Sequence, residues 1–143
     1  MNDKISRFSE KYGPDEKPDP LIKEQILKRT QKDEVACAVA FEIADKLSEK
    51  PSEVGKTADL MEYRLVKCQL GLFGYKPGHS IVEAKIPEND KIVDAIKDGL
   101  VNDRLPCKTA WEIAARFDVH KMIISSACEA MSIKIKPCQL GAF

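Results

Sequence analysis

A shift of 70 residues lays residues 105–143 over residues 35–73 without a gap, and this constrains the fold more than any other feature. Eleven of the 39 aligned positions are identical. Cys37 meets Cys107, Ala40 meets Ala110, and Glu42-Ile43-Ala44 meets Glu112-Ile113-Ala114. Met61 meets Met131, Cys68-Gln69-Leu70-Gly71 meets Cys138-Gln139-Leu140-Gly141, and Phe73 meets Phe143. Similar residues fill the gaps: Phe41 with Trp111, Leu47 with Phe117, Val54 with Ile124, Leu65 with Ile135. Upstream the match weakens to Ile22 and Ile26 facing Ile92 and Ile96, so each unit begins near residues 20 and 90. An ungapped match ending in a shared four-residue string implies a tandem duplication of one supersecondary unit.

Within each unit the apolar spacing predicts three helices. Leu21, Ile22, Ile26 and Leu27 place one over 20–31, with Pro20 suited to its first turn. Ile92, Val93, Ile96 and Leu100 repeat it over 90–101, with Asp90 as a candidate cap. Ala40, Ile43, Ala44 and Leu47 give a second helix over 36–48, matched by Ala110, Ile113, Ala114 and Phe117 over 106–117. Val54, Ala58 and Met61 give a third over 51–62, matched by Ile124, Cys128 and Met131 over 121–132. Arg64–Cys68 and Lys134–Cys138 then read as strands, and Gly71 and Gly141 as turns. Ile81–Ile86 reads as one more short strand. Residues 1–19, with many charges and with prolines at 14, 18 and, at their end, 20, are expected to be a flexible lead-in. The expected organisation is thus a lead-in over 1–19, a first unit over 20–75, a linker over 76–89 and a second unit over 90–143.

The stretch Thr109-Ala110-Trp111-Glu112-Ile113-Ala114-Ala115-Arg116-Phe117-Asp118-Val119, followed by Ile124 and Cys128, resembles the bacterial and archaeal helix-turn-helix signature. Two short helices crossing steeply need a small residue at closest approach, here Ala110 and Ala114, flanked by large residues that fill the wedge. Ala40, Ile43, Ala44, Leu47 and Val54 stand in the same roles in the first copy. Ser48 and Asp118 occupy the turn position where glycine is usual, and the second copy has no returning strand to complete a wing. One solution is that the two CQLG strands pair with each other. The resemblance implies a mainly α fold with short β-strands: two tandem, three-helix, winged-helix-like units. It also implies a DNA-binding transcriptional regulator, with the third helix in the major groove. Carried to this chain, the DNA contacts would be Ser52, Glu53, Lys56 and Thr57 in the first copy. In the second they would be His120, Lys121, Met122, Ser125 and Ser126. Arg64, Lys67, Lys134 and Lys136 would reach phosphates.

Other features pull against that implication. The 23 basic and 23 acidic residues cancel, whereas nucleic-acid binders usually carry a basic surplus. The third helices lack the arginine, asparagine and glutamine that read base edges. Met122 and Ile123 stand where polar residues would be expected, which favours a protein contact or dimer through the second unit. A protein-interaction module on the same scaffold is therefore the first alternative. A cysteine-based metal or redox sensor is the second, because Cys37, Cys68, Cys107 and Cys138 recur in both copies. No CxxC pair is present, however, and a buried cysteine also serves as a small hydrophobe. Cys128 replaces Ala58 and is expected in the core. His79 and His120 are not repeated. Gln69 and Gln139 are expected to bond to backbone, Leu70 and Leu140 to bury, and Phe73 and Phe143 to cover the core. Glu42 and Glu112 are expected to face solvent. With no phosphate-binding glycine loop, nucleophile elbow or HExxH, no enzymatic role and no cofactor are expected. Five cysteines, a polar N-terminus and no long apolar run point to a cytoplasmic protein with reduced thiols and no membrane association.

Overall fold

The computed structural model describes residues 8–75 and 80–142. The chain is mainly helical and carries one small two-stranded sheet. Helix α1 spans Pro20–Arg29, α2 Cys37–Leu47, α3 Pro51–Leu60, α4 Asp90–Asp98, α5 Cys107–Phe117 and α6 Lys121–Ala130. Strands β1 (Glu34–Ala36) and β2 (Arg64–Val66) pair in parallel, Val35 opposite Leu65. The chain falls into two compact units, Met1–Val66 and Lys67–Phe143. No helix among the described residues is long and apolar enough to cross a membrane.

In the first unit, the Asp19 carboxylate accepts the Leu21 and Ile22 amides and starts α1 ahead of Pro20, a cap worth about 1 kcal/mol. The core is built by Ile22 and Ile26 of α1, Ala40, Ile43 and Ala44 of α2, Val54 and Ala58 of α3, and Val35 and Leu65 of the sheet. Leu21 and Leu27, which the helical period also assigns to the core, are exposed at 62% and 53%. Gln25 takes the buried face instead and accepts a hydrogen bond from Lys46. β1 lies just ahead of the expected second helix. Parallel pairing with β2 satisfies its backbone, in place of the antiparallel wing that the resemblance implies.

Residues 8–19 depart from the expected flexible lead-in. Phe8–Lys11 form a 3-10 turn whose Phe8 and Ser9 amides donate to the Glu62 carboxylate at 2.9 and 3.0 Å. Lys11 and Tyr12 both reach Asp59 Oδ2, at 3.0 and 2.9 Å, and Asp59 is buried. Burial, then the hydrogen bond and the charge of Asp59, push the Tyr12 hydroxyl pKa well above its usual range. Glu16 pairs with Lys56, whose ammonium lies 5.5 Å from the Tyr12 ring centre. The strap closes where the Asp19 amide meets Thr57 Oγ1 at 3.5 Å. Charged composition suggested disorder, but acceptors on and just after α3 tie the segment down.

The second unit repeats the layout. α4, α5 and α6 begin at 90, 107 and 121, each 70 residues after α1, α2 and α3. Leu105 bridges Ile135 in parallel, at positions matching Val35 and Leu65. Ser48 and Asp118 both end their helices with a left-handed residue, φ 55° and 53°. This is the conformation for which glycine is usual, adopted here by residues whose short polar side chains tolerate it. α4 is capped by Asn89 rather than Asp90. The expected strand at 134–138 shrinks to the Ile135 bridge, and no strand forms over 81–86. The CQLG segments are turns rather than paired strands.

The core of the second unit gathers Ile92, Ala95, Ile96, Leu105, Ala110, Ile113, Ala114, Ile124, Ala127, Cys128 and Ile135. Cys68 and Leu70 belong to the same core, and Leu72 and Phe73 pack against it. The unit boundary therefore lies at Val66/Lys67, ahead of the expected one near 75, because the first CQLG turn supplies core residues to the second unit. Phe143 and His79 lie outside the described residues.

Candidate functional site

The third helices are not bare faces. Thr57 is buried at 2% exposure under the N-terminal strap, and Lys56 is held by Glu16. In the second unit Ser125 is buried at 1%, its hydroxyl donating to the Leu70 carbonyl at 2.6 Å. Thr57 and Ser125 thus depart from their expected roles as groove contacts, because each sits on the buried side of its helix. The chain ahead of α4 also lies along α6. The Lys85 amide donates to the Ser126 carbonyl at 3.1 Å, and the Ile81 amide to the Gly71 carbonyl at 2.8 Å. Met122 is half-buried beside Gly71, and Ile123 is exposed at 40%. His120 caps α6, its Nδ1 accepting the Met122 amide. Lys121 stands over the Trp111 ring, 4.4 Å from its centre. Ser52 and Glu53 are exposed on α3, Ser126 is partly exposed, and Arg64, Lys67, Lys134 and Lys136 are exposed.

Three of the repeated cysteines belong to the second unit, Cys68 and Cys107 in its core. The Cys107 amide donates to the Pro137 carbonyl at 3.0 Å, which sets the start of α5 beside the second CQLG turn. The Gln139 side chain then donates to Cys107 Sγ at 3.4 Å, a bond to sulfur rather than to the expected backbone group. The Leu140 amide donates to Cys138 Sγ at 3.4 Å. The first CQLG turn is closed by the Cys68 amide on the Phe73 carbonyl and the Gly71 amide on the Cys68 carbonyl. Tyr75 adds its hydroxyl to that same Cys68 carbonyl at 2.8 Å. Gly71, at φ 77°, makes the turn possible. So folded, the turn directs the Leu72, Leu70 and Phe73 amides at the Cys68 sulfur.

Burial pushes the Cys68 and Cys107 thiols up, and the amides, with the Gln139 side chain, pull partly back. An ionised Cys138 would raise both further, so the three sulfurs share one electrostatic environment. Cys68 and Cys107 are buried and Cys138 is partly exposed. All five thiols are free. Among the described residues no group of three or more histidine, cysteine, aspartate or glutamate side chains is arranged to hold a metal ion. Cys37, the remaining candidate, is buried in the first unit. Cys128 is a core thiol, as its replacement of Ala58 suggests.

Sequence reasoning named the three cysteines but did not bring them together. The available signal was the recurrence of Cys-Gln-Leu-Gly at 68–71 and 138–141. No protein-family model matches the chain, and neither does any curated protein or solved structure.

Proposed function

We propose that the chain is a tandem duplication of a helix-turn-helix-like unit and that it acts as a thiol redox regulator, with Cys68, Cys107 and Cys138 as the reacting centre. The duplication reading is supported by elements and left-handed residues that recur 70 positions apart. The redox reading is carried by one observation. The second CQLG turn donates hydrogen bonds to both Cys107 Sγ and Cys138 Sγ, Cys68 lies in the same core as Cys107, and Cys138 is partly exposed. Donors to sulfur favour the thiolate, but burial outweighs them at Cys68 and Cys107, whose thiols are held above the usual range.

The chemistry follows from exposure. Thiolate is the nucleophile in exchange, and access decides which sulfur reacts first. The Cys138 thiolate attacks a small-molecule disulfide such as oxidised glutathione. A mixed disulfide forms and one thiolate leaves, taking up a proton from water. A neighbouring thiol, Cys107 or Cys68, then loses its proton and attacks Cys138 Sγ. The second small thiol leaves and a protein disulfide remains. Two electrons pass from the protein to the reagent, and two small thiols are released. Reduction by a dithiol reverses the change.

The test is a free-thiol count. After exposure to oxidised glutathione the folded protein should lose two of its five thiols, and Cys138→Ser should lose none as an internal disulfide. Unchanged thiols, or only stable glutathione adducts, would reject the reading.

DNA binding through the third helices has one favourable observation, the exposure of Arg64, Lys67, Lys134 and Lys136. The covered faces of α3 and α6 and the zero net charge weigh against it. A gel shift with genomic fragments at about 50 mM salt, where phosphate contacts are strongest, separates the two readings. Retardation there would restore the DNA role.

A further inference from the structure

A second feature of the second unit is independent of the thiols. A cavity of about 630 Å³ opens beside Trp111 at the start of α6. Lys67, His120 and Lys121 line it, with apolar walls from Ala114, Val119 and Met122. None of its ten lining residues is acidic. Lys67 and Lys121 enter no ion pair among the described residues. The volume falls within the range of small-molecule sites, as does the combination of apolar wall and few polar groups.

We propose that this cavity binds a small organic anion with a flat apolar body. The anionic head would be taken by the Lys67 and Lys121 ammonium groups, where no carboxylate competes for them. The flat body would lie against the indole of Trp111 and the side chains of Val119 and Met122. Lys121 already stands over the indole, so the cation and the aromatic face are presented together.

The first copy makes the inference sharper. The residues 70 positions earlier are Asp45, Glu49 and Pro51 in place of Ala115, Val119 and Lys121. Two carboxylates stand where the cavity has apolar residues, and a proline replaces one of its cations. A shared scaffold does not require that change. Lys50 stands in place of His120, so the first copy offers a mixed-charge surface where the second offers a cationic, apolar one.

Trp111 is the single tryptophan of the chain, so its indole N–H resonance reports on this cavity without ambiguity. The probe is 2-naphthoate, titrated at constant ionic strength, with 2-naphthamide as the neutral control and inorganic phosphate as the bare anion. Saturable shifts of the Trp111 signal are expected with 2-naphthoate. The neutral amide and phosphate should each bind at least about ten-fold more weakly, and so should 2-naphthoate to Lys67→Gln and Lys121→Gln. The wild-type melting temperature kept in both variants would show that folding is unaffected. No saturable shift, equal binding of the amide or of phosphate, or unchanged affinity in well-folded lysine variants would overturn the proposal.

Discussion

Cys128 carries a pH dependence that can be worked out from its surroundings. It is fully packed in the core of the second unit, and burial pushes its thiol up from 9.0 to about 12. Below pH 9 the thiol is protonated in both folded and unfolded chains and contributes no pH dependence. Above pH 9 the unfolded chain releases this proton while the folded chain holds it, so stability falls as pH rises towards 12. Cys68 and Cys107 shift in the same direction and add to the loss. Thermal melts between pH 7 and 10 should show Tm falling on the alkaline side. Cys128→Ala, the residue of the first copy, should flatten that fall while costing about 1 kcal/mol at neutral pH. An alkaline slope unchanged in the variant would contradict the assignment. The glycines offer a second comparison. Gly71 and Gly141 both hold positive φ, 77° and 82°, so alanine strains either turn by about 1 kcal/mol or more. At Gly71 a Cβ would also meet Met122 Cε at 2.8 Å, whereas nothing lies within 4 Å at Gly141. Gly71→Ala should therefore lower Tm more than Gly141→Ala, and equal effects would count against the packing described at Met122.

At the scale of elements, the N-terminal strap is held by three acceptors on and just after α3, Thr57, Asp59 and Glu62. Asp59→Ala removes the partner of Lys11 and Tyr12 and should cost about 1.5–3 kcal/mol, as for hydrogen bonds to a charged group. Amide exchange and limited proteolysis should then concentrate at residues 8–19, leaving α2 protected. Protection unchanged over 8–19 would show that the strap is held by something else. The six helices were legible in the sequence to within three residues because each carries two or more turns of apolar period. The strap was not, because its acceptors stand 38 to 54 residues away. β1 was missed for a related reason: three residues make no period, and their partner lies 30 positions on. Leu21 and Leu27 show the limit of periodicity. α1 buries the stripe through Ile22, Gln25 and Ile26, and the wider apolar arc left two leucines in solvent.

Over the whole molecule, the repeat was the most legible feature and its chemistry the least. Alignment marked Cys37, Cys68, Cys107 and Cys138, but each pair is 31 residues apart and none forms a local knuckle. Only the fold brings Cys107 of α5 against the second CQLG turn and sets the first turn into the same core. The resemblance to helix-turn-helix proteins directed attention to α3 and α6, whose inner hydroxyls, Thr57 and Ser125, are buried. The residues shared by the copies hold sulfur, while the third-helix residues diverge. The most direct measurement is a map of disulfide-linked peptides after oxidised glutathione is added to the native protein. The linkage expected joins Cys138 to Cys107 or Cys68 and disappears on reduction. A chain whose three thiols stay reduced, or whose disulfides join Cys138 only to another molecule, would contradict the redox centre.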